Sequence, residues 1–359
     1  MKHFVFLFLA IFFFACDEKK EEVLPVVPLG DGISLNVNAA DSIKMFIHSM
    51  IPLELTDSSL LGEIRLIDDT LGRLVVEDGN IVHTFDNQTG KFMSTINRQG
   101  EGPEEYVYIS DIQVSPKDSC IYILDGAKHA INVYSMENEF INSFRNDSIV
   151  SLAFMNNDNW ITFNSLIDTC NYDICIYNSK WEPVCWKRER KEQLCFNGLI
   201  PEYTFNKIDD EIYTYLSDTL FCLQNDGELS AIFWIDKGKL KMPSEVVYDM
   251  TRQAESEHYI WEEGMHYSDT YCFLRYIYNR KRYYDIWNVH SGKLCYRNVM
   301  TSPDDPIGLS VNIGEVTVQA WPSFIKNNLF YCILDEVEAG KLNPTNSDNN
   351  PCILRLKLK

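Results

Sequence analysis

FDNQTGKFMSTINRQGEGPEEYVYISDIQV, residues 85–114, joins two apolar runs through a polar hairpin and a second turn with glycines at 100 and 102. The G-x-G spacing suits either a loop that cradles phosphate or a connection between two sheets. A dinucleotide loop follows a strand, carries a third glycine three residues on and opens a helix. Here position 105 is Glu, the residues after it alternate as a strand, and Glu101, Glu104 and Glu105 would repel a phosphate. The stretch therefore reads as the end of one β unit (91–96), a turn, and the first strand of the next (106–115). Gly100 and Gly102 are expected at positive φ, with Pro103 fixing the exit direction.

Working outward, the same rhythm recurs. FDNQTGKF (85–92), YSMENEF (134–140), YNSKWEPV (177–184), LQNDGEL (223–229) and WNVHSGKL (287–294) each set a polar turn between large apolar residues. Asn, Asp and Gly supply the backbone angles such hairpins need. Strands ending near an acidic residue accompany them: GRLVVED (72–78), CIYILD (120–125), EIYTYLSD (211–218) and NLFYCILDE (328–336). The units recur at intervals of about 40 to 60 residues, the range of four-stranded propeller blades. The reading is all-β, a six-bladed β-propeller over residues 33–359. PSEVVYDMTRQAESEHYI opens with Pro and Ser and spaces Val246, Val247, Met250 and Ala254 helically, which predicts one helical insertion at about 243–260. The sixth unit lacks a strand, and KMFIHSMIPLEL (44–55) is an apolar strand without a local partner. Sheet edges must be paired or covered, so this N-terminal strand is expected to close the last blade beside 350–359.

IPLELTDSSLLGEIRLI (51–67), the G-K-F hairpin, G-x-G-P-x-E-Y at 100–106 and the final NPCILRLKLK (350–359) carry a resemblance. Together they are similar to the six-bladed β-propeller lipoproteins of gut anaerobic bacteria, a family resembling NHL-type and TolB-type propellers. The resemblance extends over nearly all the mature chain. It implies a fold and an address more than a reaction.

The N-terminus supports that address. Lys2 precedes FVFLFLAIFFFA (4–15), which ends at Ala15-Cys16. This run is shorter than the roughly 20 apolar residues of a spanning helix and reads as a signal peptide over 1–15. The cysteine after it resembles the acylated residue of a bacterial lipoprotein, although Phe13 and Phe14 depart from the usual small and aliphatic pattern. Residues 16–32, DEKKEE and then VLPVVPLGDG, read as the lipidated Cys16 and a solvated flexible tether with no part in folding. The expected location is the bacterial cell envelope, with membrane contact only through the lipid. The formal net charge of −20 argues against nucleic acid as a partner. Ten further cysteines, mostly inside apolar strand-like runs, are expected as free, buried thiols.

Chemistry is sparse. No H-E-x-x-H or G-x-S-x-G pattern occurs. His258 and His266, with Glu257, Glu262, Glu263 and Asp269 nearby, form the densest metal-capable stretch. They carry the alternative reading, a lyase or hydrolase with a metal or His-based site at the channel mouth. Propellers bind ligands where loops converge at the rim. Arg98, Tyr106, Asp111, Tyr203, Tyr267, Arg275 and Trp321 are the rim candidates. The favoured reading is a monomeric, non-catalytic binder of a glycan, peptide or envelope protein, with no cofactor.

Overall fold

The computed structural model describes residues 24–37, 43, 45–155, 158–164, 171–189, 205–208, 211–224, 227–247, 249–342 and 350–358. Among the described residues the first elements are β1 (Val26–Val27), a helical turn α1 (Leu29–Gly32) and β2 (Met45–Pro52). Antiparallel meanders follow. The first is β3 (Ile64–Thr70), β4 (Arg73–Asp78), β5 (Ile81–Asp86) and β6 (Phe92–Ile96). The second is β7 (Ile109–Ser115), β8 (Cys120–Asp125), β9 (Ala130–Ser135) and β10 (Phe140–Arg145). The third is β11 (Ile149–Phe154), β12 (Trp160–Asn164), β13 (Tyr172–Tyr177) and β14 (Pro183–Glu189). The fourth is β15 (Phe205–Ile208), β16 (Glu211–Leu216), β17 (Thr219–Leu223) and β18 (Leu229–Ile235). The fifth is β19 (Trp261–Ser268), β20 (Tyr271–Tyr278), β21 (Lys281–Asn288) and β22 (Lys293–Met300). A hairpin, β23 (Leu309–Ile313) and β24 (Val316–Ala320), precedes β25 (Pro322–Lys326), β26 (Leu329–Leu334) and β27 (Cys352–Leu358).

The runs that looked uniformly apolar are buried on both faces. In β8, Ile121 and Ile123 enter the core shared with the first meander, while Cys120, Tyr122 and Leu124 enter the core shared with the third. Val75 and its neighbours Leu74 and Val76 likewise face opposite cores in β4. Period-two alternation between two cores makes a continuous hydrophobic strand. Further cores join the third and fourth meanders, the fourth and fifth, the fifth and β25–β27, and β26–β27 with the first. The leading strands β3, β7 and β11 touch in succession, and so do β15, β19, β25 and β3. Sheets packed face to face around these inner strands make a β-propeller arrangement.

Two expectations change in detail. Rather than six separate blades, hydrogen bonding delivers four free-standing four-stranded sheets among the described residues. Beside the two-stranded β23-β24 hairpin, the other strands run as one nine-stranded sheet, β1-β18-β17-β16-β15-β25-β26-β27-β2, because β15 and β25 pair in parallel where Lys207 lies opposite Lys326. The insertion is helical but broken: α2 (Ser244–Val247) stops, and a 3-10 segment, Met250–His258, restarts where Asp249 caps it by accepting from Thr251 N. The closing strand is where the sequence placed it. β2 pairs antiparallel with β27 from Met45 opposite Leu358 to Pro52 opposite Cys352. Gly90 of the G-K-F hairpin sits at φ +71, and a Cβ there would lie 2.0 Å from Pro52 O. The hairpin therefore needs glycine in order to close against β2.

A third expectation fails. The tether predicted over 16–32 does not extend that far, because the chain is docked from β1 onward. Val26 and Val27 pair in parallel with Trp234 and Ile235 of β18, and Val27 and Leu29 are fully buried among fourth- and fifth-meander residues. Asp236 N donates to Val27 O and Gly30 N to Asp236 O, both at 2.8 Å. A Cβ on Gly32 would lie 2.3 Å from the Trp287 ring. Apolar residues between prolines found a core to fill, so this segment is a strap on the fold. Of the cysteines, 120, 185, 222, 272, 332 and 352 are free thiols; these and Cys175 and Cys295 are buried, except the half-buried Cys185. Positions 16, 170 and 195 lie outside the described residues.

Candidate functional site at the inner strands

The polar side chains of the inner strands tie one sheet to the next. Asp68 on β3 accepts Val114 N of β7 at 2.9 Å. Asp111 on β7 repeats the device one sheet on, accepting Leu152 N at 2.9 Å and Ser151 Oγ at 2.7 Å from β11. Lys326 on β25 donates to Thr70 Oγ1 at 2.7 Å and to Asp69 O of β3. His266 on β19 faces Asn206 Oδ1 of β15 at 3.4 Å. Inner strands lie where sheets converge, so short polar side chains reach a neighbour's backbone there and replace water as its partner.

Environment tunes two of these groups. Burial pushes the Asp111 carboxyl up to about 6, against three donors that favour its charged form. Burial, helped by the Arg275 charge, pushes the His266 imidazole down to about 4, so it is neutral at pH 7. Asn206 is 2% exposed, and its Nδ2 has no hydrogen-bond partner among the described residues. Glu263 receives Arg282 through two bonds of 2.6 and 2.7 Å and lies 3.7 Å from Arg275.

The other predicted residues divide. Arg98 is at the surface turn, 3.1 Å from Glu104, donating to Asn138 O and lying 5.9 Å from the Tyr134 ring centroid. Tyr106 is fully buried against Tyr134, and its hydroxyl donates to Ile96 O at 3.0 Å. Tyr267 packs on Tyr213 and Phe233, and Trp321 on Phe273 and Tyr284. These three are core residues rather than rim ligands, because their rings fill the space between sheets. Tyr203 lies outside the described residues. His258 is exposed on the insertion, and among the described residues no three His, Cys, Asp or Glu side chains gather as a metal site requires.

The glycine turn has its own anion. Neither Gly100 nor Gly102 takes positive φ. Instead a Cβ would lie 2.1 Å from Glu105 Oε2 at Gly100 and 2.9 Å from it at Gly102. That carboxylate accepts Gly102 N at 2.8 Å. The glycines make room for the turn's own glutamate, in the place a phosphate would take. Lys128 Nζ then donates to Gly102 O and Glu105 O, and Tyr134 to Glu104 O, fixing the turn to the second sheet. The acidic strand ends also acquire a role that spacing did not reveal. Asp78 accepts Gly62 N, and Asp125 accepts Val107 N and Tyr108 N, so each receives the chain entering its own sheet.

These features define an all-β propeller whose inner polar residues hold its sheets together. The chain matches the model of the family described as Domain of unknown function (DUF4934) over residues 39–357, and it belongs to that family. No curated protein matches it. Among solved structures it is similar to a candidate exported protein of Bacteroides fragilis NCTC 9343, at 15% identity and TM-score 0.64, with 90% of this chain and 98% of that one covered. It is also similar to a member of the DUF4221 family from Bacteroides vulgatus ATCC 8482, at 10% identity and TM-score 0.57, with 89% and 99% covered. At these identities the likeness is one of fold.

Proposed function

We propose that the chain is an exported propeller of the bacterial cell envelope, anchored through an acylated Cys16, that binds a glycan, peptide or protein partner at its channel face without catalysis. The observation that carries this reading is the use made of the inner polar groups. Asp68, Asp111, His266 and Lys326 are engaged between sheets, as scaffold rather than as a nucleophile with its base. Arg98 and Arg275, each beside a carboxylate, remain the rim residues suited to a polar ligand. The signal-like residues 1–16 and the export named for the Bacteroides fragilis neighbour support the address. We read the nine-stranded sheet as two blades joined at one residue pair, giving six; the succession of inner strands supports that count.

The test is a glycan and peptide array probed with the full chain in detergent. Retention of one ligand class, lost on Arg98→Met or Arg275→Met, is the expected result. Turnover of chromogenic glycoside or ester substrates, abolished by His266→Gln, would replace binding with catalysis.

A further inference from the structure

We infer that the strap makes one side of the ring, the perimeter between the fourth and fifth meanders, the surface that faces the lipid bilayer. The inference rests on the lipid-anchor reading of Cys16. Its new element is orientation, and it comes from comparing two lengths.

If the tether ran to residue 32 as its composition suggests, the 17 steps from Cys16 to Ile33 would span up to about 60 Å. A domain of this size has a radius of gyration near 20 Å and is roughly 50 Å across. Such a tether would let any face reach the membrane. The docked strap removes that freedom. Eight steps from Cys16 to Leu24 span at most about 29 Å, which is less than the width of the domain. The side opposite Leu24 is then out of reach of the bilayer.

The strap is held well enough to matter. Beyond its strand pair, Arg297 Nη1 donates to Gly32 O at 3.0 Å, Ile33 O at 3.0 Å and Leu35 O at 3.1 Å. Its Nη2 is 2.6 Å from Asp285 Oδ2, and that carboxylate is fully buried. Three carbonyls on one guanidinium fix both the path and the exit of the segment.

The surface at the exit suits an interface with headgroups. Leu24 and Trp234 are each 38% exposed and line a shallow depression of about 230 Å³ with Gly238 and Lys241, whose Nζ lies 2.8 Å from Asp218; Lys237 beneath is buried and paired with Asp218 and Glu262. Lys239 is exposed beside them. Aromatic and lysine side chains partition to the headgroup level. Asp236 and Glu245 lie in the same stretch, so the orientation is imposed by tether length and not by charge. Across the ring, the seam of the first and second sheets faces away, with Ile141 of β10 53% exposed there.

The experiment uses the full chain in vesicles of phosphatidylethanolamine and phosphatidylglycerol, with a benzophenone amino acid at position 239 or at position 141. Mass spectrometry reads both acylation of Cys16 and lipid adducts at the probe. Acylated Cys16 with adducts at 239 and none above background at 141 is the expected result. Adducts at both positions, or at 141 alone, with Cys16 acylated would overturn the orientation and leave the anchor standing. A chain without acyl groups on Cys16 would remove the anchor, and the orientation with it. Arg297→Met, checked for native circular dichroism, frees the strap and should bring adducts at 141 up towards those at 239. If that folded variant keeps the original contrast, the strap is not what orients the domain.

Discussion

Two places in the molecule hold an N-terminal segment against distant sheets, and they use the same three side chains. At the ring closure, Asp69 Oδ2 receives Arg355 Nη2 and Tyr331 Oη, both at 2.6 Å. At the strap, Asp285 Oδ2 receives Arg297 Nη2 at 2.6 Å and Tyr276 Oη at 2.8 Å. Each arginine also reaches backbone carbonyls, Asn87 O in one case and those of the strap in the other. The backing differs. The closure adds a strand ladder from Met45 to Pro52 and shares a core with the first sheet. The strap adds two parallel pairs and a few apolar contacts. The same clamp should therefore be part of the global fold in one place and a local, separable latch in the other.

The largest expected effect tests the ladder. Removing residues 45–52 leaves β27 paired with β26 alone, with its outer edge open, and uncovers Ile353 and Leu354, so cooperative folding should be lost, read as aggregation and a missing thermal transition. A soluble variant with a sharp transition would show that the ladder is as separable as the strap. Next in size is Arg355→Met. It strands the buried Asp69 charge and should cost about 3–5 kcal/mol in denaturant titration. A cost below 1 kcal/mol would mean the ladder carries the closure without its clamp.

Leu29→Ala probes the latch. Leu29 is fully buried, and truncation should cost about 2–3 kcal/mol. Hydrogen exchange supplies the contrast: amides of 26–33 should lose protection while those of β27 keep theirs. Equal loss in both regions would erase the distinction between closure and latch.

A smaller effect lies inside the ring. His266 is held near 4 when folded and has an ordinary value of 6.5 unfolded, so the unfolded chain binds the extra proton between those values. Its stabilising share is complete above pH 6.5 and is lost as pH falls towards 4, about 2 kcal/mol after discounting partial exposure. Asp111, raised to about 6, acts in the opposite sense: its carboxylate costs stability as pH rises through 6. Urea titrations of His266→Gln at pH 4.5 and 6.5 should show the acid-side loss reduced relative to wild type. An unchanged slope would mean the imidazole is solvated and makes no tie.

Most of the architecture was legible because it lies in local pattern. Apolar runs in β4 and β8 alternate between two cores, and the strand at 44–55 had no neighbour to pair with except the far terminus. The strap was not legible. VLPVVPLGDG has the punctuation of a linker, and what docks it, Phe233, Trp287 and Arg297, stands about 200 to 265 residues away. The aromatic rim assignments Tyr106, Tyr267 and Trp321 fell in the core for a related reason. Whether Tyr267 or Trp321 faces solvent depends on register, and a bulge between Glu262 and Gly264 resets it in β19. Asp111 was read as a rim residue, because its use as a tie between inner strands required Leu152 of the next sheet.

The smallest prediction returns to the glycine turn, which holds a carboxylate with backbone N–H in place of an arginine. Gly100→Ala would put a Cβ 2.1 Å from Glu105 Oε2, at the end of a flexible side chain that can swing away. The cost is then the bond to Gly102 N, a charge-assisted contact at a half-buried site, or about 1–2 kcal/mol. With Glu105 already replaced by Ala, the same substitution meets no obstacle and φ is not positive. The lower chain entropy of alanine should then make it neutral or stabilising by about 0.5 kcal/mol. The double-mutant cycle therefore has an expected coupling of about 1–2 kcal/mol, smaller than that of either arginine clamp. Equal costs in the two backgrounds would show that Gly100 serves something other than Glu105. Coupling as large as that between Asp69 and Arg355 would show that backbone donors clamp a carboxylate as firmly as a buried guanidinium does.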